Sequence, residues 1–190
     1  MLSHEASSKI FMEAGALLTG HFLLTSGRHS NQYMQCAQAL KNPKATEMLC
    51  QSLAEAFQGD QVELVVGPAM GGIIVSYELA RQLGVEGIFS ERENGQMTLR
   101  RNFTIKPGQR ILVCEDVVTT GGSVQEVIEA VKAAGGQVVG VAFLVDRTGG
   151  KIDFGVKQAA ALTMDITSWE AADCPWCKEG SVAIKPGSRS

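Results

Sequence analysis

The stretch RILVCEDVVTTGGS, residues 110–123, decides the fold of this chain. Its first five residues form a mostly apolar run that predicts a buried β-strand. Two adjacent carboxylates, Glu115 and Asp116, follow the run, and a Thr-Thr-Gly-Gly-Ser segment leads into a helical pattern that begins at Val124. In open α/β sheets, ligands bind in the crevice at the carboxyl ends of the strands. This junction is therefore the first candidate for a functional site.

Strand and helix patterns alternate on both sides of this stretch. The predicted helices cover residues 45–57, 73–83 and 124–134, and the predicted strands cover residues 62–66, 87–89, 110–114 and 138–145. The strands show no alternation of polar and apolar residues, which is typical of strands buried on both faces. The pattern therefore predicts an α/β fold with a central parallel sheet flanked by helices.

The two ends of the chain are predicted to form a smaller unit beside this sheet. Apolar residues at helical spacing predict a first helix that ends near Gly20, followed by two short strands within residues 21–35. We expect a single domain over residues 1–190, with its core at about residues 43–168. A small N-terminal hood at about residues 1–42, joined by part of the C-terminal tail, would complete the domain.

The composition is that of an ordinary globular protein. Of the 190 residues, 45% are hydrophobic and 19% are charged, which excludes a disordered chain. The formal net charge of −3 argues against a broad basic face for nucleic acid. The longest apolar run, Val138 to Val145, is far shorter than the roughly 20 residues that span a bilayer, so no membrane or signal segment is expected. Five cysteines, an odd number, indicate reduced thiols and a cytoplasmic location.

The residues after the central strand suit a ligand that carries both phosphate and hydroxyl groups. Backbone N–H groups and hydroxyls of Thr120 to Ser123 would lie at the positive end of a helix dipole, where phosphate binds. Glu115 and Asp116 would repel phosphate but would bind hydroxyls or a divalent metal, so a sugar phosphate meets both demands. A plain strand–turn–helix junction with a capping serine is the alternative. G-x-x-x-x-G-K-[ST], G-x-G-x-x-G and G-x-S-x-G are absent, which argues against P-loop, dinucleotide and serine-hydrolase sites.

Residues 111–123 resemble the motif that binds phosphoribosyl diphosphate (PRPP) in the type I phosphoribosyltransferase family. Three further segments resemble the orotate-specific members of that family: HFLLTSGRHS at residues 21–30 with Tyr33, GPAMGGI at residues 67–73 and VDR at residues 145–147. The resemblance implies a type I phosphoribosyltransferase fold. It also implies transfer of phosphoribosyl from PRPP to orotate, giving orotidine 5′-monophosphate and diphosphate in pyrimidine (UMP) biosynthesis. A phosphoribosyltransferase for another purine or pyrimidine base and a non-catalytic PRPP-sensing regulator are the alternatives.

The same resemblance assigns roles to individual residues. The acidic pair, Glu115 and Asp116, would hold the ribose hydroxyls of PRPP, and Asp116 counts among the catalytic residues. The 5′-phosphate would be bound by Val117, Val118, Thr119, Thr120, Gly121, Gly122 and Ser123, and the diphosphate by Ala69, Met70, Gly71 and Gly72. Orotate would be bound by Thr119, Arg147, Ser26 and Tyr33. Mg²⁺ is implied as the cofactor, held mainly through PRPP, with no direct protein ligand assigned.

A charged loop is predicted at residues 91–101, and it departs from the family pattern. Many orotate-specific members carry lysines and a histidine in a mobile loop over the diphosphate, and this segment has neither. Arg92 matches the first arginine of the pattern and is assigned to PRPP, and Arg100 and Arg101 are candidates to replace the missing catalytic charges; solvated surface arginines are the alternative. Thr25 also stands where a lysine is common. The resemblance implies a homodimer in which the loop acts across the interface, with no nucleic-acid or membrane partner.

Cys174 and Cys177 form a single Cys-x-x-Cys pair near the C-terminus. A structural zinc ion needs four ligands, and no second such pair follows. The three histidines lie far upstream with no ligand spacing: His4, His21 and His29. We therefore expect a tail packed through Trp176, with zinc shared between two subunits as the alternative. His29 is expected to be a hydrogen-bonding turn residue and not a catalytic base.

Overall fold

A computed structural model describes residues 1–24 and 26–186, so that Thr25 lies outside the described residues. The helices of the described part are α1 (His4–Glu13), α2 (Cys36–Leu40), α3 (Pro43–Phe57), α4 (Gly71–Leu83), α5 (Gly122–Ala133) and α6 (Pro175–Lys178). The strands are β1 (Leu17–Leu23), β2 (His29–Met34), β3 (Leu64–Pro68), β4 (Glu86–Glu93), β5 (Gln96–Leu99), β6 (Arg110–Val118), β7 (Gln137–Asp146), β8 (Lys157–Thr163) and β9 (Ser168–Trp169). None of the described helices has the length and apolarity that a membrane crossing requires.

A six-stranded sheet in the order β5-β4-β3-β6-β7-β8 forms the centre of the protein. Its strands run parallel except for β5, an antiparallel strand at one edge. This confirms the predicted α/β fold with a central, mostly parallel sheet flanked by helices. Because the strands are parallel, β3, β6 and β7 end at the same edge, where Val118 of β6 lies opposite Asp146 of β7.

Helices cover both faces of the sheet, which explains why its central strands are continuously apolar. On one face, α3 and α4 bury Leu49, Phe57 and Leu79 against the strands. On the other face, α5 buries Val127 and Val131. Each such side chain, fully buried, contributes about 1.5–3 kcal/mol to folding. The two cores hold the strand ends in place and so position the connections that follow them.

The first helix is shorter than its sequence pattern predicts. α1 ends at Glu13, and Gly15 adopts a left-handed backbone with a φ of 69°. Leu17 and Leu18, which the helical spacing assigns to the same helix, begin β1 instead. The predicted helix end near Gly20 is therefore wrong, because a left-handed glycine after α1 ends the helix before these leucines.

Residues 91–101 are largely a β-hairpin and not the loop that their charge predicts. β4 continues to Glu93 and pairs with β5, from Ser90 opposite Leu99 to Glu93 opposite Gln96. Asn94 and Gly95 connect the two strands with φ values of 51° and 84°, the left-handed pair of a two-residue hairpin turn. An Asn-Gly dipeptide is a strong hairpin signal, and the sequence has one at Asn94-Gly95.

A second sheet, in the order β1-β2-β9, joins the two ends of the chain, and we call it the hood sheet. β9 contributes two residue pairs, His29 with Trp169 and Ser30 with Ser168. Arg28 reinforces the pairing, because its Nε donates a hydrogen bond to Ser168 Oγ at 2.8 Å. The division of one domain into a core at about residues 43–168 and a hood stays a prediction.

Candidate active site

Three connections meet at the carboxyl edge of the central sheet. Residues 69–72 follow β3, residues 119–121 follow β6, and Arg147 follows β7. Backbone hydrogen bonds tie the first and third of these connections to neighbouring strands: the Ala69 N–H donates to an oxygen of β4 at 2.8 Å, and the Arg147 N–H donates to an oxygen of β6 at 2.9 Å. The parallel topology thus gathers segments that are far apart in the sequence.

The two carboxylates at the end of β6 have different surroundings. Glu115 is buried, with 8% of its surface exposed, whereas Asp116 is half-buried. The Asp116 N–H donates to Glu115 Oε1 at 3.0 Å, and the Val117 N–H donates to Asp116 Oδ1 at 2.8 Å. Burial, and then the neighbouring charge of Asp116, raise the pKa of Glu115 to about 8. Both effects favour the protonated form of Glu115, which can donate a hydrogen bond to a hydroxyl.

The connection from β6 to α5 forms a small concave cradle. Its cavity has a volume of about 50 Å³ and is lined by Glu115 and residues 117–124. The N-terminus of α5 contributes free N–H groups and the positive end of its dipole. Gly121 has a φ of 78°, and a Cβ there would overlap the Ile152 side chain, so the position requires glycine. The cradle suits an anion such as a phosphate group.

The connection from β3 to α4 lies directly against the acidic pair. A Cβ at Gly71 would overlap the carboxylate of Asp116, so the backbone approaches this side chain more closely than any other residue type would allow. Ala69 and Met70 precede this glycine, and Met70 is 82% exposed. The predicted diphosphate segment and the predicted ribose-binding residue are therefore neighbours in space.

Arg147 begins the connection after β7. Its Nε is buried and, among the described residues, has no hydrogen-bond partner. Asp146, which precedes it, is buried and accepts hydrogen bonds from the Thr148 N–H at 2.7 Å and the Gly150 N–H at 2.8 Å. These bonds hold the turn that carries Arg147. Because the Arg147 Nε has no partner among the described residues, it remains available as a donor to a ligand.

The residues that follow β2 lie next to the acidic pair. Cys36 Sγ lies 3.6 Å from the backbone oxygen of Asp116. Burial raises the pKa of the Cys36 thiol well above its usual range, and the nearby charge of Arg147 partly opposes this effect. Tyr33, three residues earlier, packs against Phe22 with ring centroids 5.8 Å apart. β2 thus leads from the hood sheet to the same edge of the central sheet.

Ser26, by contrast, lies in the exposed turn between β1 and β2. Its hydroxyl accepts a long hydrogen bond from the Arg28 N–H, at 3.5 Å. No described hydrogen bond joins Ser26 to residues 115–123 or to Arg147. Its assignment to orotate stays a prediction.

The three arginines of the β4–β5 hairpin form ion pairs with glutamates. These pairs are Arg92 with Glu126 of α5 at 2.9 Å, Arg100 with Glu93 at 3.4 Å and Arg101 with Glu91 at 3.0 Å. All three arginines are about half exposed. Arg92 thus contacts the helix whose N-terminus forms the cradle, whereas Arg100 and Arg101 pair within their own hairpin. Their catalytic roles stay predictions.

The expectation that the histidines lack ligand spacing is wrong. His21 lies on β1 and His29 on β2, and the hairpin places both rings beside Cys174 and Cys177. Trp176, the predicted packing residue, contacts this group, with its ring centroid 6.2 Å from that of His21. Linear spacing missed the cluster because an antiparallel hairpin brings together residues that are eight positions apart. One sequence pattern does indicate the cluster: His21 and His29 stand on either side of the predicted turn, on two strands that a hairpin would bring together.

A larger concavity, about 770 Å³, lies at the opposite edge of the sheet. Its lining includes Glu63, Glu86 and Gln109, which stand at or next to the amino ends of β3, β4 and β6. Glu115 and the cradle line a different, much smaller cavity. We place the candidate active site at the carboxyl edge, where the polar groups and helix N-termini converge.

The fold and this edge together define a phosphoribosyl transferase domain, and the family of that name matches residues 37–158. A protein named orotate phosphoribosyltransferase from Pelotomaculum thermopropionicum is 61% identical over 180 residues, covering 95% of each chain. One of the same name from Heliobacterium modesticaldum is 57% identical over the whole of both chains. The crystal structure of orotate phosphoribosyltransferase from Aeropyrum pernix superposes with a TM-score of 0.71, at 28% identity, over 83% of this chain and 93% of that one.

The chain belongs to the orotate phosphoribosyltransferase family. It is therefore an enzyme of the pentosyltransferase group of glycosyltransferases.

Proposed function

We propose that the enzyme transfers the 5-phosphoribosyl group of PRPP to orotate, releasing diphosphate and orotidine 5′-monophosphate, as a step of pyrimidine biosynthesis. One observation carries this proposal: the Gly71 backbone, the Asp116 carboxylate and the α5 cradle lie side by side at one edge of the sheet. A ligand with a phosphate at one end, hydroxyls in the middle and a diphosphate beyond them matches that order. The name shared by the relatives supports PRPP and orotate as the substrates.

The residues divide between the parts of PRPP. Residues 117–123 bind the 5′-phosphate through backbone N–H groups and hydroxyls. The acidic pair binds the ribose hydroxyls, with Glu115 as a hydrogen-bond donor and Asp116 as an acceptor. Residues 69–72 bind the diphosphate, because the glycine backbone there lies directly against the Asp116 carboxylate and so next to the ribose hydroxyls.

Orotate is a planar anion, and Arg147 suits it. A guanidinium binds a carboxylate or a planar ring edge through two parallel N–H donors. Arg147 has a buried donor with no partner among the described residues, at the edge where the base must meet the ribose. Thr119, Tyr33 and Ser26 would complete the orotate pocket from the cradle and from the hood.

The donor set at this edge fits Mg²⁺. Magnesium prefers oxygen ligands and is commonly held by one or two carboxylates together with substrate phosphates. Asp116 is half-buried beside the Gly71 backbone, so its carboxylate can reach a cation that is held mainly by PRPP. When bound, Mg²⁺ would neutralise charge that develops on the departing diphosphate.

The protein contributes positioning and electrostatics. Departure of diphosphate leaves positive character on the anomeric carbon, so no protein nucleophile is required. In this proposal the negative charge of Asp116 stabilises that carbon, and the N–H groups of the cradle hold the phosphate end of the substrate. Arginines of the β4–β5 hairpin would cover the leaving group and exclude water when the hairpin closes.

The enzyme is proposed to act as a homodimer in the cytoplasm. The dimer is supported by the resemblance of the whole chain to the type I phosphoribosyltransferase family, which implies a loop that acts across a subunit interface. The free cysteines support a reducing compartment.

An absorbance assay with PRPP, Mg²⁺ and a panel of bases tests the proposed reaction. We expect consumption of orotate, and of neither purines nor uracil, with stoichiometric release of diphosphate. Asp116→Asn should weaken PRPP binding by about tenfold or more in calorimetry, the scale of one charge-assisted contact. Consumption of a different base would reject orotate while keeping the family. PRPP binding without turnover of any base would instead indicate a regulator.

A further inference from the structure

Four metal-binding side chains converge between the hood hairpin and the C-terminal tail. They are His21, His29, Cys174 and Cys177, and their ligand atoms all lie within 4.8 Å of one another. Cys174 is fully buried, and the two histidines are 7% and 9% exposed. The chain separates His21 from Cys174 by 153 positions, so the cluster joins two remote segments.

We propose that these four residues form a structural zinc site within one subunit. Two imidazoles and two thiolates are the ligand set of many structural zinc sites, and zinc binds such sets tetrahedrally. With four protein ligands no position stays open, so the metal would hold structure and would not take part in phosphoribosyl transfer. The site is independent of the proposed function.

The spacing of the ligand atoms is close to what zinc requires. Zn–N bonds of about 2.0 Å and Zn–S bonds of about 2.3 Å place tetrahedral ligand atoms roughly 3.3–3.8 Å apart. His21 Nε2 lies 3.4 Å from Cys174 Sγ and 3.7 Å from Cys177 Sγ. His29 Nδ1 lies 3.2 Å from Cys177 Sγ and 2.8 Å from His21 Nε2. Small ring movements that part the two nitrogens would admit the ion.

A hydroxyl orients one of the two rings. Ser181 Oγ lies 3.1 Å from His21 Nδ1, on the side of the ring away from the cluster. A proton on Nδ1, donated to this hydroxyl, leaves the lone pair of Nε2 directed at the two sulfurs. Metal-binding histidines generally use their second nitrogen in this way.

The tail needs such a link because its own packing is slight. α6 has four residues and buries none of them. The tail also contacts the hood through the two pairs between β2 and β9 and through backbone bonds of Ile184 to His21 and Leu23, at 2.9 and 2.8 Å. A small element with little apolar burial is the kind that structural metals stabilise. The zinc would lock the tail onto the hairpin that carries Tyr33.

The zinc content of the untagged full chain tests the proposal. The protein is expressed in medium that contains zinc, purified and dialysed before the measurement. We expect about one zinc per chain. The double variant Cys174→Ala, Cys177→Ala should lose this zinc. Cys50→Ala is the matched control: it also removes a buried thiol, but in α3 and outside the cluster, and it should keep the zinc.

Two measurements on the unsubstituted chain test the proposal even if the double variant fails to fold. Cobalt in place of zinc should give the visible bands of a tetrahedral site and a near-ultraviolet thiolate-to-cobalt band. Removing zinc with a chelator should lower the melting temperature by roughly 5–10 °C, and added zinc should restore it. Zinc no higher than the buffer blank after incubation with zinc, or cobalt bands that survive the loss of both cysteines, would overturn the proposal. So would a Cys174–Cys177 disulfide in freshly purified protein.

Discussion

Glu115 and Asp116 are adjacent in the sequence, yet only Glu115 is buried. Two full negative charges beside a phosphate cradle would repel the ligand. Because burial raises the pKa of Glu115, the pair presents one carboxyl group that favours its protonated form and one that is more exposed to solvent. The protonation of Glu115 therefore follows from its place in the fold, and it bears on stability as well as on ligand binding.

The stability of the protein should depend on pH through Glu115. Folding raises the pKa of this carboxyl from 4.5 to about 8, so the folded state holds the proton more tightly than the unfolded chain. Its contribution to stability is complete below the unfolded pKa and is lost as the pH rises through the folded pKa. From pH 5 to pH 8, Glu115→Gln should therefore gain roughly 3–4 kcal/mol in unfolding free energy relative to the unsubstituted protein.

Urea unfolding of both proteins at several pH values measures this difference. The comparison cancels the titrating groups that do not interact with Glu115, because they are common to the two proteins. Parallel stability curves across the pH range would mean that Glu115 is ionised in the folded protein.

Arg147 should control the affinity for orotate and leave that for PRPP almost unchanged. Arg147→Ala removes a bidentate charged donor, so the orotate KM should rise by about tenfold or more, with a much smaller change in the PRPP KM. Steady-state kinetics with each substrate varied in turn measures both constants. Arg110→Ala, at the opposite end of the neighbouring strand β6, is the control and should change neither. Equal changes in both KM values for Arg147→Ala would indicate a structural role at the end of β7.

The β4–β5 hairpin pairs its two strands without a register shift and carries charged side chains along its exposed surface. Its Asn-Gly turn fixes the register, and Glu91 and Glu93 partly neutralise Arg101 and Arg100. Exposed ion pairs of this kind contribute about 0–1 kcal/mol, so they are exchanged easily for a more highly charged partner. A bound diphosphate would be such a partner.

The double variant Arg100→Ala, Arg101→Ala should keep its fold but lose turnover by roughly 10², or about 3 kcal/mol of transition-state stabilisation. Turnover at saturating substrates and circular dichroism provide the two readouts. Arg81→Ala is the control, since Arg81 is also half exposed and paired with glutamates but lies near the far end of α4. Near-normal turnover in the double variant would leave Arg92 and the metal as the positive charges on the leaving group.

At the scale of the whole molecule, the hood sheet ties both chain ends together beside the central sheet. The proposed substrate contacts come from three parts of the chain: the hood sheet, the carboxyl edge of the central sheet and the β4–β5 hairpin. If the β4–β5 hairpin contributes its arginines to the active site of the neighbouring subunit, a complete site would require two chains. Activity would then depend on assembly.

Mixing equal amounts of two impaired variants, assayed at a PRPP concentration where each has little activity, tests this arrangement. Asp116→Asn disables the edge of the sheet, and Arg100→Ala, Arg101→Ala disables the hairpin. If the hairpin acts across the interface, unfolding and refolding the two together should restore roughly a quarter of the unsubstituted activity. This follows because half of randomly paired dimers are mixed and each mixed dimer has one intact site. If the mixture stays as inactive as its components, the hairpin acts within its own subunit.

The amino-acid pattern alone predicts the class of fold and the edge of the sheet that carries the candidate site. Strand and helix periods are local, so the apolar run at residues 110–114 and the helical pattern after it could be recognised without the rest of the chain. Parallel strands then end at one edge, which is why the Glu115–Ser123 segment could be located as a site. Local signals also misled, since the spacing of Leu17 and Leu18 fits a helix as well as a strand.

The tertiary structure alone decided which remote residues become neighbours. The contact of Gly71 with Asp116 and the burial of Glu115 depend on how loops from separate strands pack. The cluster of His21 and His29 with the Cys-x-x-Cys pair depends on a hairpin turn and a tail that returns 153 positions later. Such relations are set by strand register and by packing against the whole core, and no local propensity encodes them.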